Sequence, residues 1–457
     1  MIHLKSGNEE IDAILGGGFP ENGLHIIMGA PGTGKTILAE QLCFANASPQ
    51  RPILYLATFP EPLQKLVGYL QGFSFAAPEK IGTEVVYDYI GEEVLVDPER
   101  IPARMQELLT LHRPKIIVID SFKALADLLP DRSAWRRTLD AIAGMLAAYD
   151  TTAFLVGEYA SSMINDLPEF AVADGILDLT RVERGSRDER FLRVLKLRGS
   201  PFIAGQHAFQ LTSNGIQAFR RFVAPAVPPD YSFVLERLTS GISGLDDMIA
   251  TGWLRGTATL VVGPSGSGKT SLGVHFLRGG LDEGEPGLLV SFQESPTQLF
   301  RMLTNFGWEP KQILGPGKID HLYITPVELQ IDLVASEILR RVEEEGIRRV
   351  VIDSVSDLQK GATDSQRYRE FIYSLTQTFA ARNVTSMLLA EAVGSGHSSS
   401  HGITGHEVSY MSDNIILLEM LLDDDLTRTL RVIKSRGSEH DGRRLPLHIT
   451  SLGITVG

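Results

Sequence analysis

Two short glycine-rich segments of the chain, each ending in a lysine and a threonine, have the composition of phosphate-binding loops. The first reads GAPGTGKT over residues 29–36, and the second reads GPSGSGKT over residues 263–270. Glycines let the backbone fold around an anion and turn its N–H groups inward, and the N-terminus of the following helix adds partial positive charge. Each segment follows an apolar strand pattern and opens a helix pattern, which is the context that a phosphate loop requires.

The side chains of these two loops indicate which ligands they bind. Lys35 and Lys269 would reach the β- and γ-phosphates of a nucleotide, and Thr36 and Thr270 would offer hydroxyl groups to Mg²⁺. ATP and Mg²⁺ are therefore the expected ligands. The predicted ATP-binding residues of the loops are Gly29, Gly32, Thr33, Gly34, Lys35 and Thr36 in the first, and Gly263, Gly266, Ser267, Gly268, Lys269 and Thr270 in the second.

Asp120 and Asp353 each end a short apolar run, IIVID in the first half of the chain and VVID in the second. A carboxylate at the C-terminal end of a strand lies in the crevice where α/β sheets bind ligands, and there it can hold the Mg²⁺ shell. The predicted metal-binding residues are therefore Asp120 and Asp353 together with the two loop threonines. The alternative is that each aspartate caps the next helix.

Hydrolysis also needs a group that orients or deprotonates the attacking water. Glu61 and Glu294 each follow the second predicted strand of their half, in TFPE and SFQE. They match each other and lie at the ligand-binding end of the predicted sheet. The predicted catalytic residues are thus these two glutamates and the two loop lysines, and the alternative for the glutamates is a solvated loop carboxylate.

Four cations lie near the ends of two further predicted strands. These are Lys196 and Arg198, and Lys434 and Arg436, and each pair is followed by Gly-Ser. One use for such cations is to reach the nucleotide of a neighbouring subunit in trans. Spacing alone favours the simpler interpretation, an ordinary solvated strand end.

All these motifs recur in the same order in the two halves of the chain. The loops lie 234 residues apart, the aspartates 233 and the basic strand ends 238. A period this long indicates two copies of one complete domain. Residues 223–231 contain three prolines, which sustain neither a helix nor a central strand. The predicted organisation is therefore a first domain over 1–222, a linker over 223–232 and a second domain over 233–457.

Short apolar runs alternate with helix-length segments in each half. Runs such as LHIIMG, ILYLA and IIVID have no polar alternation, so they predict strands that are buried on both faces. This pattern predicts an α/β fold, with a mostly parallel sheet and helices on both of its faces.

Composition narrows the function classes. The 457 residues carry a net charge of −13, which argues against tight non-specific binding to nucleic acid. Cys43 is the one cysteine, so no internal disulfide can form. No apolar run approaches the roughly 18 residues of a membrane span, and the polar N-terminus has no signal-peptide pattern. The expected location is the cytoplasm, with no membrane partner.

The tandem phosphate-loop halves, the SGxxxxD entry into each half, the FxE after the second strand and the KxRGS strand ends together resemble the KaiC family. These are circadian-clock ATPases of cyanobacteria within the RecA-like superfamily. The resemblance covers essentially the whole chain. It implies two RecA-like P-loop NTPase domains, a homohexamer of two stacked rings, and ATP bound between adjacent subunits. It also implies that Lys196, Arg198, Lys434 and Arg436 are the trans residues of those interfaces.

The resemblance implies a second activity as well, transfer of a phosphoryl group from ATP to a Ser-Thr pair in the second domain. The similar segment here is SYMSDNIILL, in which Ser409 stands at the acceptor serine and Tyr410 replaces the acceptor threonine. Thr404 matches an upstream threonine of that loop and is the second phosphoacceptor candidate beside Ser409. The equivalent stretch of the first domain, FAVAD, has no hydroxyl group. We therefore expect a hydrolytic first ring and a second ring that phosphorylates itself.

The chain departs from the family at the first of two adjacent glutamates, the one usually assigned as general base. Pro60 and Gln293 occupy that position, so turnover is expected to be slow or to depend on Glu61 and Glu294. The leading hypothesis is a signalling or timing switch with protein partners. The alternatives are a nucleic-acid-dependent motor of the RecA type, which would need a basic or aromatic channel loop, and a nucleotide-gated scaffold with little turnover.

Overall fold

The computed structural model describes residues 2–58, 63–184, 187–224, 235–250, 252–392, 409–422 and 426–457. The chain divides into two compact units, Met1–Arg221 and Phe222–Gly457, which we call unit 1 and unit 2. The predicted first domain ended one residue later, at 222. Most of the predicted linker lies outside the described residues, as do Pro60, Glu61 and Thr404, so the predictions made for them stay predictions.

Unit 1 contains eleven strands and eight α-helices within the described residues. Its strands are β1 (His3–Leu4), β2 (Phe19–Pro20), β3 (Leu24–Gly29), β4 (Ile53–Ala57), β5 (Val85–Tyr89), β6 (Ile116–Asp120), β7 (Thr152–Gly157), β8 (Gly175–Arg184), β9 (Arg187–Leu197), β10 (His207–Thr212) and β11 (Gly215–Phe219). Its helices are α1 (Glu9–Ile14), α2 (Lys35–Asn46), α3 (Leu63–Leu70), α4 (Glu92–Val96), α5 (Ile101–His112), α6 (Phe122–Asp127), α7 (Arg132–Ala148) and α8 (Pro168–Val172).

Nine of these strands, as far as the described residues go, form one sheet in the order β11-β10-β9-β8-β3-β7-β6-β4-β5. The six strands from β8 to β5 run parallel, and β9, β10 and β11 add an antiparallel edge. Parallel strands end at one edge of the sheet. The segments that follow β3, β4, β6 and β7 therefore meet at that edge, which we call the carboxyl edge of the sheet.

Unit 2 repeats this architecture. Its strands are β12 (Arg237–Leu238), β13 (Trp253–Leu254), β14 (Ala258–Gly263), β15 (Gly287–Ser291), β16 (Ile319–Tyr323), β17 (Arg349–Asp353), β18 (Thr385–Glu391), β19 (Asn414–Leu422), β20 (Leu426–Ser435), β21 (Leu445–Thr450) and β22 (Gly453–Val456). Its helices are α9 (Ser243–Asp247), α10 (Lys269–Asp282), α11 (Pro296–Asn305), α12 (Pro310–Ile313), α13 (Ile331–Glu344), α14 (Val355–Gly361) and α15 (Ser365–Ala381). The order of its nine-stranded sheet, over the residues described, is β16-β15-β17-β18-β14-β19-β20-β21-β22.

Two apolar cores cover the two faces of each sheet. In unit 1, one core packs α2 against residues such as Ile27 and Val118, and the other packs α5 and α7 against residues such as Ile26 and Ile119. Adjacent residues of one strand thus pack into opposite cores, because successive side chains of a strand point to opposite faces of the sheet. The predicted α/β class, with a mostly parallel sheet and helices on both faces, is confirmed.

Helix starts also repeat between the units. The carboxylate of Asp131 accepts hydrogen bonds from the backbone N–H groups of Ser133 and Ala134 and caps α7. Asp364 caps α15 in the same way, through the N–H group of Arg367. Among the described residues, none of the helices is both long enough and apolar enough to cross a membrane.

Candidate active site

The first phosphate loop connects β3 to α2 at the carboxyl edge of the unit 1 sheet. Gly29, Gly32 and Gly34 have φ values of 152°, 73° and 100°, which residues with a Cβ atom rarely adopt. At Gly34 the chain turns directly into the helix that begins with Lys35. Lys35 Nζ donates a hydrogen bond of 2.8 Å to the carbonyl oxygen of Ala30, so the ammonium group folds back over the loop.

Asp120, at the end of β6, meets the threonine of this loop. Thr36 Oγ1 donates a hydrogen bond of 2.8 Å to Asp120 Oδ2, although the two residues are 84 positions apart in the chain. The hydroxyl group of Tyr55, a buried residue of β4, donates a second hydrogen bond of 2.8 Å to the same oxygen. The carboxylate of Asp120 is therefore held from two sides.

The second phosphate loop has the same geometry in unit 2. Gly266 and Gly268 have φ values of 78° and 101°. Lys269 Nζ donates hydrogen bonds of 2.8 and 2.9 Å to the carbonyl oxygens of Gly263 and Pro264. Thr270 Oγ1 donates a hydrogen bond of 2.6 Å to Asp353 Oδ2 at the end of β17. The peptide bond after this aspartate is cis, as is the one after Asp120.

A cleft of about 420 Å³ opens over this second loop. Its lining brings together most of the residues that the sequence predicts for unit 2, and adds several more. The lining residues are Ser265, Gly266, Gly268, Lys269, Thr270, Ser271, Gln293, Glu294, Gln298, Met302, Asp353, Ser354, Glu391 and Ile449. The predicted catalytic glutamate of unit 2 thus shares one cleft with the loop lysine and the strand-end aspartate.

Burial and neighbouring charges shift the pKa values of this cleft. Burial lowers the pKa of Lys269, and the carboxylates of Glu391, Asp353 and Glu294 act in the opposite direction. Burial raises the pKa of Glu294, and the negative charges of Asp353 and Asp357 raise it further. Glu294 is therefore a better proton acceptor than an exposed glutamate, because a higher pKa gives a stronger base.

The Asp353 carboxyl group shows the same balance in a more buried position. Burial raises its pKa, and the hydrogen bond from Thr270 and the charge of Lys269 oppose that shift. In unit 1, burial likewise lowers the pKa of Lys35, against the charges of Glu158 and Asp120. Both loops thus hold a partly desolvated lysine beside carboxylates.

The oxygen atoms at the end of each loop suit Mg²⁺. A threonine hydroxyl and an aspartate carboxylate converge to 2.8 Å in unit 1 and 2.6 Å in unit 2. Mg²⁺ prefers such hard oxygen ligands and is usually held by one or two protein groups together with substrate phosphates and water. In both units, therefore, the donor set fits the metal that the sequence predicts.

The basic strand ends lie at the other edge of each sheet. Lys196 pairs with Ile176 across β9 and β8, and Ile176 in turn pairs with Ile26 in the first half of β3, whereas the phosphate loop follows the end of β3. In unit 2, Lys434 pairs with Ile415, which is level with the first half of β14. These cations are thus separated from the loop of their own unit by roughly the length of a strand, on the order of 15 Å.

Ser409 lies at this same far edge of unit 2. Lys434 Nζ donates hydrogen bonds to the carbonyl oxygens of Ser409, at 3.4 Å, and Ser412, at 2.6 Å. The Arg436 guanidinium donates a hydrogen bond of 2.9 Å to the carbonyl oxygen of Tyr410, whose side chain is exposed. The acceptor serine predicted from the sequence is therefore held next to the predicted trans cations and away from Lys269.

In unit 1, Arg198 has the position that Arg436 has in unit 2. Its guanidinium donates a hydrogen bond of 3.3 Å to Asp174, and 62% of its side chain is exposed. Lys196 Nζ donates to the carbonyl oxygens of Phe170 and Ala171 at 3.4 and 3.3 Å. Each basic pair is thus anchored to the segment that precedes β8 or β19.

Several site residues were missed by the sequence analysis. Glu158 and Glu391 follow or end equivalent strands and act electrostatically on the loop lysines. Their recurrence at matching positions was the available signal. Tyr55 and Asp357 have no such signal, because the other unit carries Leu289 and Ala124 at the equivalent positions.

Comparison with known proteins agrees with this geometry. A family model described as the KaiC ATPase matches residues 4–221 and, a second time, residues 238–457. The chain belongs to the KaiC ATPase family. It is therefore an ATP-binding P-loop NTPase with two tandem ATPase domains, and the resemblance inferred from the sequence is confirmed.

Named relatives match along nearly the whole chain. The circadian clock oscillator protein KaiC of Rippkaea orientalis is 27% identical over 468 residues, which cover 98% of this chain and 87% of that protein. The KaiC protein of Thermosynechococcus vestitus is 28% identical over 470 residues, covering 98% and 88%. The circadian clock protein KaiC3 of Synechocystis sp. is 28% identical over 470 residues, covering 99% and 91%.

Proposed function

We propose that this KaiC-family protein is a double-ring homohexamer in which unit 1 hydrolyses ATP and unit 2 also phosphorylates Ser409 of the adjacent subunit. The observation that carries this proposal is the separation of the two halves of the unit 2 site. The phosphate loop lies at the carboxyl edge of the sheet, whereas Ser409, Lys434 and Arg436 lie together at the opposite edge. Only a second copy of the chain can bring the two edges together.

Each residue of the cleft has a separate role in the proposed phosphoryl transfer. The loop backbone and Lys269 bind the phosphates, and Thr270 and Asp353 hold Mg²⁺. When bound, that metal neutralises the charge that develops on the γ-phosphate. Glu294 accepts the proton of the attacking hydroxyl group, which belongs to water or to Ser409 of the neighbouring subunit.

The nucleoside part of ATP would occupy a second cleft, of about 510 Å³, beside the first. The two clefts share Gln298, Met302 and Ile449. Phe306 and Arg301 add an aromatic ring and a cation to the lining of the second. A purine ring fits such a mostly apolar lining with a few polar groups.

The trans cations complete each site. A guanidinium group from the neighbouring subunit can stabilise charge on the γ-phosphate in addition to the charge that the loop lysine stabilises. We assign this role to Arg198 and Lys196 in unit 1 and to Arg436 and Lys434 in unit 2. In unit 1 no hydroxyl group stands at the position equivalent to Ser409, so only water can attack there.

Phosphorylation would place nearly two negative charges at a subunit interface, beside Lys434 and Arg436. Such a charge change can alter the packing of subunits and be detected by signalling-protein partners. Relatives of the chain are named as circadian clock proteins. We therefore propose that the protein is a timing or signalling switch. Its location in the cytoplasm stays a prediction.

A complementation experiment tests the transfer between subunits. Ser409→Ala removes the acceptor and keeps the nucleotide site, whereas Lys269→Ala keeps the acceptor and disables the nucleotide site of unit 2. The two full-length variants, one carrying a tag that separates them on a gel, are mixed under conditions that allow subunits to exchange. Label from γ-labelled ATP is then followed on each chain.

The proposal predicts label on the Lys269→Ala chain in the mixture only, and none on either variant alone. Label on Lys269→Ala incubated alone would contradict the role of the unit 2 loop. A mixture without label, in a preparation where the wild type is labelled and mixed oligomers form, would contradict transfer between subunits. Phosphate release by the Lys269→Ala variant distinguishes an active unit 1 from a scaffold with little turnover.

A further inference from the structure

Asp357 is a buried carboxylate beside the unit 2 cleft that no step above requires. It lies in the first turn of α14, and 2% of its side chain is exposed. Asp357 Oδ1 accepts a hydrogen bond of 2.7 Å from Lys360 Nζ. Asp357 Oδ2 accepts hydrogen bonds of 3.0 Å from Ser354 Oγ and from Gln293 Nε2. Both carboxylate oxygens are therefore supplied with donors.

These donors keep Asp357 ionised. Burial alone would raise its pKa, but the hydrogen bonds from Lys360, Gln293 and Ser354 outweigh burial and lower the pKa below its usual value. An ionised carboxylate can only accept hydrogen bonds. The side-chain amide of Gln293 must therefore present its NH₂ group to Asp357, because the reverse orientation would place two acceptor oxygens against each other.

This orientation decides which atom of Gln293 faces the reaction. Gln293 is exposed and lines the same cleft as Lys269 and Glu294. Its nitrogen is occupied by Asp357, whereas no hydrogen bond to its Oε1 is found among the described residues. The amide oxygen is thus the atom available to a hydroxyl group that enters the cleft.

We propose that Asp357 is a positioning residue that fixes Gln293 as a hydrogen-bond acceptor for the attacking hydroxyl group in unit 2. This inference rests on the function proposed above. The attacking O–H group, of Ser409 or of water, is shared in a three-centre hydrogen bond between Gln293 Oε1 and the carboxylate of Glu294, which both line the cleft, and is thereby aligned with the γ-phosphorus. A new P–O bond then forms, the bond from the γ-phosphorus to the bridging oxygen breaks, ADP leaves, and the proton goes to Glu294. A neutral glutamine needs no basicity for this role, because it orients the nucleophile and does not deprotonate it.

The other unit supports a joint role for these two residues. Unit 1 carries Pro60 at the position of Gln293 and Ala124 at the position of Asp357. Both members of the pair are thus absent together. A glutamine without the aspartate could turn its amide either way, and a buried aspartate without the glutamine would lose one of its donors.

The test uses the full-length chain with Lys35→Ala, so that only unit 2 turns over. Asp357→Asn is expected to lower kcat about tenfold, for both phosphate release and protein labelling, with KM for ATP within about twofold. Gln293→Ala is expected to cause the same loss, and the two substitutions together no more than either alone. Gln293 is exposed, so this second variant tests the inference even where Asp357→Asn fails to fold.

A charge exchange provides a readout that a purely structural role would not move. Gln293→Glu alone places a second carboxylate about 3 Å from Asp357, and like charges so close cannot both ionise. Its activity should therefore rise at a higher pH than that of the parent. Gln293→Glu combined with Asp357→Asn restores a donor–acceptor pair and adds a true base, so its kcat should equal or exceed that of the parent. Gln359→Ala is the matched control, since Gln359 is exposed on the same helix and is not among the lining residues of the cleft; we expect less than a twofold change.

The outcomes separate this inference from the function on which it rests. If the Lys35→Ala parent forms neither product, the reaction in unit 2 is absent and both proposals are wrong. If the parent is active and Gln293→Ala keeps its kcat, only the inference about Asp357 is wrong. A combined exchange variant as slow as Asp357→Asn would also overturn the inference, because a restored hydrogen-bonded pair should restore alignment.

Discussion

Unit 1 and unit 2 have the same fold and the same loop, yet they surround the strand-end aspartate with different chemistry. In unit 1, additional polar groups lie on the side of Asp120 that faces the apolar core. In unit 2, they lie on the side of Asp353 that faces the cleft. The repeated frame fixes where a nucleotide binds, and the substitutions around it determine what each site can do with that nucleotide.

The groups on the core side of Asp120 form two partly buried pairs. Tyr55 donates to Asp120, and the Tyr87 hydroxyl donates a hydrogen bond of 2.7 Å to Glu40 Oε2 on the helix that follows the loop. The two tyrosine rings are 5.4 Å apart. The equivalent residues of unit 2 are Leu289, His321 and Val274, so neither pair can exist there.

The largest expected effect separates the products of the two units. Lys35→Ala and Lys269→Ala each remove the cation that we propose to contact the β- and γ-phosphates, so each should reduce turnover of its own unit about 1000-fold. Lys35→Ala should leave protein labelling intact, and Lys269→Ala should abolish it. Labelling and phosphate release, measured separately, check this. Loss of labelling in the assembled Lys35→Ala variant would show that the two units are not chemically distinct.

A smaller loss is expected when the guanidinium groups to which we assign a trans role are removed. Arg198→Ala should slow unit 1 and Arg436→Ala should slow unit 2, each about 100-fold, because the neighbouring lysine retains part of the charge. Binding of a fluorescent ADP analogue to each variant should change little, since the effect lies in the transition state. Equal loss of both products in either variant, with its oligomeric state unchanged, would contradict the pairing of one basic strand end with one unit.

Removing the Tyr55 hydroxyl group should weaken the proposed metal site of unit 1 alone. Tyr55→Phe frees one side of Asp120, and outer hydrogen bonds of this kind typically change metal affinity about tenfold or more. We expect the Mg²⁺ concentration for half-maximal hydrolysis to rise about tenfold in a Lys269→Ala background, and Mn²⁺ binding to weaken in parallel. Tyr87→Phe is the control, because that hydroxyl contacts Glu40; a similar rise there would point to a general disturbance of the core.

The smallest expected effect is on the pH dependence of stability. Burial raises the pKa of Glu40 from 4.5 to about 8, so folded unit 1 binds a proton that the unfolded chain releases. Stability contributed by this group is complete below pH 4.5 and falls as the pH rises toward 8. Burial lowers the pKa of His25 from 6.5 to about 4, which acts in the opposite sense below pH 6.5.

The interval from pH 6.5 to 8 therefore isolates Glu40. The Tm of unit 1 should fall across it, by an amount that corresponds to about 1–2 kcal/mol of unfolding free energy. Glu40→Gln keeps the hydrogen bond from Tyr87 and should flatten this dependence, with the Tm of unit 2 unchanged because Val274 replaces the glutamate there. A slope that survives in Glu40→Gln would assign it to another group.

The sequence was sufficient to predict the frame of each site. Apolar strands that end in Asp120 and Asp353, and loops that open α2 and α10, follow from composition and spacing. The cross-strand contacts could not be predicted, because they depend on register: Tyr55 reaches Asp120 only because Ala57 pairs with Asp120 across β4 and β6. Glu61 lies outside the described residues, so its catalytic role stays a prediction.

The position of the basic strand ends is a second feature that the sequence alone could not predict. Their spacing gave no reason to prefer a role at a neighbouring nucleotide. The antiparallel return of β9 and β20 carries Lys196 and Lys434 to the far edge of their sheets, and only topology reveals this. The direction of these strands supports the proposal that two chains complete each site.

The most direct test of two chemistries on one fold is a time course with γ-labelled ATP and Mg²⁺, in which free phosphate and protein-bound label are counted in the same samples. Wild type is compared with Ser409→Ala. We predict both products from the wild type, and from Ser409→Ala free phosphate without label. Label that persists in Ser409→Ala, or a wild type that releases phosphate and never becomes labelled, would contradict the assignment of phosphoryl transfer to unit 2.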